Sequence, residues 1–237
     1  MSGIFRFKQF NVDQTGCAMK INTDGVLLGA IVNAINAENI LDIGTGTGVI
    51  ALMLAQAFAN AKVDAVEIDT DAAHTAEKNF KESIFANRLT LYAEGFENYF
   101  DKYPESKYDL IVSNPPFYID SLKSPGAKKT LAKHTDVDFF ERLINSIVSH
   151  LSPGGSCWLI APATMVDLLV SLAANHSIFL NKTISIRSYS HSEPHRTILF
   201  FGQEKISTET SNFVIYEAEG VYSDDYKKKL KPYFLNF

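Results

Sequence analysis

From Asn39 onward the chain alternates short apolar runs with longer stretches whose apolar residues recur every three or four positions. The runs Ile40-Leu41-Asp42-Ile43, Val63 to Glu67, Leu89-Thr90-Leu91-Tyr92, Tyr108 to Val112 and Ser156 to Ala161 have the length of strands. Their near-continuous hydrophobicity is what strands covered on both faces require. Between them, Val49–Phe58, Asp71–Ser83 and Asp136–Leu151 read as helices; in the last, Phe139, Phe140, Leu143, Ile144, Ile147 and Leu151 share one stripe. Pro153-Gly154-Gly155 supplies a turn before the fifth strand. A helix over Ala163–Asn175 follows, and the apolar runs Ile178–Ile186 and Thr197–Gly202 predict a closing antiparallel pair. The pattern predicts an α/β fold: a mostly parallel seven-stranded sheet with helices on both faces and an antiparallel C-terminal strand. Residues 1–36 precede it and are expected to pack as an N-terminal extension on a core domain of residues 37–237, with a helix opened by Asn22-Thr23-Asp24-Gly25.

Composition narrows the class of molecule. With 237 residues, 46% of them hydrophobic, the chain can bury a core without disulfides or structural metals. Its two cysteines, Cys17 and Cys157, form no C-x-x-C pair, which points to a reducing, cytoplasmic setting. Arg6, Lys8 and Asp13 interrupt the first twenty residues, so no signal-peptide block is expected there, and the apolar runs are too short for a membrane span. A net charge of −5 argues against bulk attraction to nucleic acid and leaves room for a local basic patch. No repeat or low-complexity segment is present.

The first strand runs into Asp42-Ile43-Gly44-Thr45-Gly46-Thr47-Gly48. A glycine-rich turn between strand and helix lets a ligand approach bare backbone and offers N–H groups at the helix start. Val49 stands where the dinucleotide fingerprint G-x-G-x-x-G has its last glycine, which counts against a nicotinamide cofactor; no Walker lysine and no G-x-S-x-G occur. Asp42 supplies an anion where a ligand ammonium could sit, a group that S-adenosylmethionine has and NAD lacks. Glu67, ending the second strand, suits the two ribose hydroxyls, and Glu94, after the third, an adenine amino group. Thr45, Ile68 and Gly95 are their neighbours in the expected cofactor site.

After the fourth strand comes Ser113-Asn114-Pro115-Pro116-Phe117. Two prolines fix the backbone and remove N–H donors, leaving carbonyl acceptors in a rigid loop. The lone pair of an amino group on a conjugated ring is delocalised. Acceptors at the Asn114 side chain and the Pro115 carbonyl can hold both amino hydrogens and turn that lone pair toward a methyl donor. Phe117 offers a face on which an extruded base can stack. Asn114, Pro115, Pro116 and Phe117 are the expected catalytic loop, for a planar amino nitrogen whose parent molecule the loop alone does not specify.

Together these motifs resemble class I S-adenosylmethionine-dependent methyltransferases of the N-P-P-[FY] type, a Rossmann-like fold, which act on adenine N6, guanine N2 or glutamine amides. Phe7-Lys8-Gln9-Phe10, Cys17-Ala18-Met19-Lys20 and Asn22 to Ala30 are similar to the N-terminal signature of bacterial tRNA(Val) (adenine-N6)-methyltransferases, and Tyr222 to Leu235 resembles their ending. The resemblance implies methylation of the adenine 3′ of the anticodon, cofactor contacts at Asp42, Gly44, Glu67 and Glu94, and catalysis at Asn114–Phe117. Two positions depart from the family: Phe117 stands where tyrosine is common, and Glu94 where aspartate is frequent.

Lys123, Lys128, Lys129 and Lys133 follow the catalytic loop, interrupted by Ser124-Pro125-Gly126. They read either as a solvated loop or as contacts to an RNA backbone. Thr23 and Asp24 read as a helix cap, with Thr23 also near the cofactor. His191 and His195 flank Glu193 with no third ligand, so no metal is expected; Trp158 reads as core. The alternatives to tRNA are rRNA guanine, DNA adenine or a protein glutamine as methyl acceptor, and a non-catalytic RNA- or protein-binding module. The sequence does not give an oligomeric state.

Overall fold

The computed structural model describes the backbone of residues 3–116 and 129–237, and the side chains of residues 3–116 and 137–237. The elements run β1 (Ile4–Arg6), β2 (Asn11–Asp13), α1 (Thr23–Ile31), β3 (Asn39–Ile43), α2 (Val49–Ala57), β4 (Lys62–Val66), α3 (Thr70–Glu82), β5 (Leu89–Tyr92), α4 (Phe96–Lys102) and β6 (Tyr108–Ser113). They continue as α5 (Lys129–His150), β7 (Leu151–Pro162), α6 (Val166–Asn175), β8 (Phe179–Arg187), β9 (Arg196–Gly202), β10 (Glu209–Val214), β11 (Tyr216–Ala218), β12 (Val221–Tyr222) and α7 (Asp224–Leu230).

The central sheet has the order β10-β8-β9-β7-β6-β3-β4-β5. Strands β3 to β7 pair in parallel, and β9 runs antiparallel to both β7 and β8. Successive residues along a strand point to opposite faces, so the apolar runs fill two cores. Ile40, Leu110, Val112 and Trp158 pack with α1, α2 and α7 on one face. Leu41, Ile111, Cys157 and Leu159 pack with α4, α5 and α6 on the other. Strand order reverses beside β3, between β4 and β6, and a crevice at the carboxyl ends of the strands is expected there.

Besides α4 and the β1–β2 and β11–β12 pairs, which the pattern did not announce, four elements differ from the sequence reading. The sheet among the described residues has eight strands, because Glu209–Val214 adds an edge strand parallel to β8. Its exposed Glu209, Thr210 and Asn212 give it no apolar run to announce it. Helix α5 begins at Lys129 instead of Asp136, which places Lys129 and Lys133 in a helix, a conformation that Lys, Leu and Ala all favour. Strand β7 begins at Leu151: Tyr108 pairs with Leu151 but Leu110 with Ser156, so Pro153-Gly154-Gly155 is a bulge within a strand. Gly155 is required there, since a Cβ would stand 2.9 Å from the Tyr108 carbonyl oxygen. Finally, Ala163–Met165 form a 3-10 turn before α6.

Residues before β3 are packed into the first core through Phe7, Phe10, Val12, Leu27 and Leu28. Phe7 pairs across a β-bridge with Phe234, and Lys8 Nζ donates to the main-chain oxygens of Lys231 and Phe237 at 2.6 and 2.8 Å.

Candidate functional site

The glycine loop leaves β3 with φ of +71°, +57° and +83° at Gly44, Gly46 and Gly48. Gly44 and Thr45 N–H groups donate to the Val66 carbonyl at 2.8 and 3.1 Å, which fastens the loop to the end of β4. A Cβ at Gly44 or Gly46 would meet nothing within 4 Å, so the loop presents bare backbone to open space. Gly48 faces inward and caps α2; a Cβ there would stand 2.5 Å from the Phe80 ring.

Asp42 lies behind this loop, fully buried. Its Oδ2 accepts from Thr45 Oγ1 at 2.6 Å and from the Ala51 N–H at 3.2 Å, joining strand, loop and helix start. Its Oδ1 is buried with no hydrogen-bond partner. Burial pushes the carboxyl up to about 7, and the nearby Glu67 charge adds to the effect. The folded protein holds this proton where the unfolded chain, with an ordinary value of 3.8, has lost it. Asp42 therefore contributes stability that is fully present below 3.8 and lost as pH rises to about 7. Urea unfolding of wild type and Asp42→Asn across that window should show a flatter fall in the variant; equal slopes would clear Asp42 as the cause.

Glu67 is also buried, and its two oxygens accept from the Gly46 N–H at 2.8 Å and the Asp69 N–H at 2.9 Å. One carboxylate thus ties the glycine loop to the start of α3, where Asp69 caps the helix by accepting from Asp71 and Ala72 N–H groups. Glu94, past the end of β5, pairs with Lys102 at 2.5 Å. Across the crevice, Ser113 Oγ donates to the Ile43 carbonyl at 2.8 Å, fixing the last residue of β6 against the last residue of β3. The next residue, Asn114, is half-buried and Pro115 buried.

These groups surround one cavity of about 400 Å³. Gly44, Gly46, Glu67, Ile68, Glu94 and Gly95 line it from the ends of β3, β4 and β5, and Asn114, Pro115 and Pro116 from the end of β6. Asp42, Thr45 and Gly48 are not part of that lining; they support the loop from behind. Thr23 is not brought to the cavity either: it is the exposed first residue of α1. Asn22, not Thr23 or Asp24, caps that helix, its side chain accepting from the Gly25 N–H at 2.9 Å, while Asp24 pairs with Arg196 at 2.7 Å. Phe117, Lys123 and Lys128 lie outside the described residues, as do the side chains of Lys129 and Lys133.

Ala18, Met19, Phe96, Phe139 and Leu143 also line the cavity and were not read as site residues. Phe139 and Leu143, four apart on the α5 stripe, had a signal only as core. Met19 is 57% exposed, unusual for a methionine, but exposure is invisible in sequence. A larger cavity of about 880 Å³ opens at the opposite, amino-terminal ends of the strands, between Asp109, Gly155, Lys182 and Lys228, and is lined by no residue of the glycine loop and by neither Glu67, Glu94 nor Asn114. Among the described residues no group of three or more His, Cys, Asp or Glu side chains could hold a metal ion, and no helix is long and apolar enough to cross a membrane.

The family model of the methyltransferase small domain matches residues 17–169. The tRNA1(Val) (adenine(37)-N6)-methyltransferase of Pedobacter heparinus is 47% identical over 237 residues, covering 100% of both chains. Its namesake from Porphyromonas gingivalis is 40% identical and covers 98% of this chain and 94% of its own. Among solved structures, a predicted O-methyltransferase from Agrobacterium tumefaciens, Atu636, aligns with a TM-score of 0.71 over 89% of this chain and 96% of its own, at 14% identity, a likeness of fold. With a loop of bare glycines, two carboxylates at successive strand ends and a proline-stiffened asparagine around one cavity, this chain belongs to the tRNA1(Val) (adenine(37)-N6)-methyltransferase family.

Proposed function

We propose that the protein transfers a methyl group from S-adenosylmethionine to the N6 amino group of adenine 37 in a valine tRNA. The observation that carries the reading is the placement of Asn114 and Pro115 on the same cavity as Glu67 and the open backbone of Gly44 and Gly46. The residues fit the cofactor. Glu67 and Glu94 are acceptors for hydroxyl and amino groups, Ile68 and Phe96 supply apolar walls, and the two glycines leave room for a ligand against the main chain. The buried, unpartnered Asp42 Oδ1 leaves an acceptor behind the loop, and a cationic ligand beside it would favour the ionised form of that carboxyl. When bound, S-adenosylmethionine supplies an electrophilic methyl group.

The protein's part is to hold and aim the acceptor. Asn114 Oδ1 and the Pro115 carbonyl accept the two N6 hydrogens, which turns the nitrogen lone pair toward the methyl carbon. Holding reacting atoms at roughly 3–3.5 Å and in line supplies much of the rate. Bound there, the cofactor would supply the methyl group and leave as a neutral thioether, and the methylated nitrogen would release one proton to water. No strong base is needed before attack. Phe117 is placed by sequence next to this pair, as a stacking face for the base.

Lys123, Lys128, Lys129 and Lys133 are the proposed contacts to RNA phosphates. Reversing the charge of Lys128 and Lys129 is expected to weaken tRNA binding and shallow its salt dependence by about 0.7–0.9 for each phosphate no longer neutralised. An unchanged affinity and slope in filter binding would remove them from the interface. We assign residues 1–36 to an extension packed on a methyltransferase domain of residues 37–237, and the protein to the cytoplasm, where its RNA substrate is made. Nucleoside mass spectrometry of bulk tRNA from a deletion strain tests the function: N6-methyladenosine should disappear from the valine tRNA, and its persistence would overturn the assignment.

A further inference from the structure

We infer that the tip of the β8–β9 hairpin, with Tyr189 and His191, is a second base-stacking platform, which takes an unpaired nucleotide of the RNA several positions from the methylated base. The inference rests on the methyltransfer to RNA proposed above. Strand β8 is parallel to β7, and β7 to β6, so the loop after β8 emerges at the same edge of the sheet as Asn114. Ser113 lies level with Leu159, Leu199 and Thr183 across the sheet. Three strand spacings put the hairpin about 14 Å to the side of the catalytic loop, and its extra residues carry it roughly 10 Å further out.

The tip is preorganised. The Ser192 N–H donates to the Tyr189 carbonyl at 3.0 Å, and the Arg187 guanidinium donates to the Ser192 carbonyl at 2.6 Å. The Tyr189 and His191 rings lie nearly parallel, 11° apart with centroids at 5.6 Å, and His191 is exposed. Behind them a ladder of rings leads inward through Tyr216 and Tyr222 to the buried Tyr226, with centroid separations of 5.7, 5.1 and 4.5 Å. An aromatic ladder anchored in the core and ending in an exposed ring, on a hairpin tied by the Arg187 guanidinium, matches what single-stranded nucleic acid stacks upon. At the base of the hairpin Arg196 is held by Asp24 of α1, whose preceding segment carries Ala18 and Met19 into the cavity wall. The segment that walls the cavity is thus joined to the base of the hairpin by one ion pair.

Base–aromatic stacking of this kind is worth about tenfold in affinity per base. In steady-state methylation of the valine tRNA, the double variant Tyr189→Ala/His191→Ala should raise KM for tRNA about tenfold and leave kcat near wild type. Cofactor affinity should not move. Tyr189→Phe, which keeps the ring, should behave as wild type, and the exposed His191→Ala alone should give part of the KM effect whether or not the double variant folds. A folded double variant with the wild-type KM would overturn the inference, as would Tyr189→Phe losing affinity as fully as the double variant. Wild-type protein that methylates no tRNA would instead overturn the parent reading, and this one with it, before any variant is made.

Discussion

Asn114→Ala should lower kcat by about 100- to 1000-fold while leaving cofactor affinity near the wild-type value, the scale expected when a group that orients the reacting atom is removed. Asn114 follows directly on Ser113, whose hydroxyl is bonded to the Ile43 carbonyl, so the sheet holds the backbone that leads into the loop. The variant therefore keeps the cavity and loses one acceptor for the amino hydrogens. Single-turnover rates at saturating cofactor, with calorimetric titration of S-adenosylmethionine, separate the two effects. Wild-type turnover would remove Asn114 from the chemistry. Glu67→Ala should show the converse: it touches the cofactor side and steadies the Gly46 and Asp69 amides, so cofactor affinity should drop about 10- to 100-fold, as for loss of a charge-assisted hydrogen bond.

Gly48→Ala should destabilise the protein by about 2–4 kcal/mol, from the positive φ together with overpacking. At φ +83° any Cβ is strained, and here it would also stand 2.5 Å from a Phe80 ring that is itself buried. Phe80 cannot swing freely, because it packs in the same core as α2. For a chain of this size the loss corresponds to a fall of roughly 5–15 °C in thermal midpoint, readable by scanning calorimetry. Gly46→Ala provides the contrast. Its Cβ meets nothing, so strain alone acts on stability, but the methyl group projects into cofactor space and should weaken binding more than folding. If Gly48→Ala melted with wild type, the tight packing between loop and α3 would not hold in solution.

Much of this site was legible in sequence because its chemistry demands particular residues at strand ends. Gly44, Gly46, Glu67, Glu94 and Asn114 sit at the carboxyl ends of consecutive parallel strands, and parallel pairing alone brings them around one cavity. Asp42 was legible as an anion but not as a buried one: nothing in its neighbours tells that Thr45 Oγ1 and the Ala51 amide take one oxygen while the other is left without a partner. Thr23 was misread because both Asn22 and Thr23 can cap a helix, and only backbone geometry shows that Asn22 has the extended conformation of a cap. Met19, Phe139 and Leu143 came from elements remote in sequence, so no local pattern joins them to the glycine loop. Strand β10 was missed for a different reason: an edge strand buries one side only, and its polar residues face water.

The clasp between Phe7 and Phe234, and between Lys8 and residues 231 and 237, bears on the order in which the protein can be assembled during synthesis. The segment with Ala18 and Met19 leaves the ribosome early, yet Phe7, upstream of it, packs its ring against Phe234, which is made about two hundred residues later. The segment itself has an earlier support in α3, whose Asn79 and Thr75 side chains donate to the Asp13 and Thr15 carbonyls at 2.9 and 2.7 Å. The clasp through Phe234 forms only after α7 is translated, so a nascent chain stalled before that point would already carry every lining residue of the cavity and lack the bridge that ties β1 to the late segment.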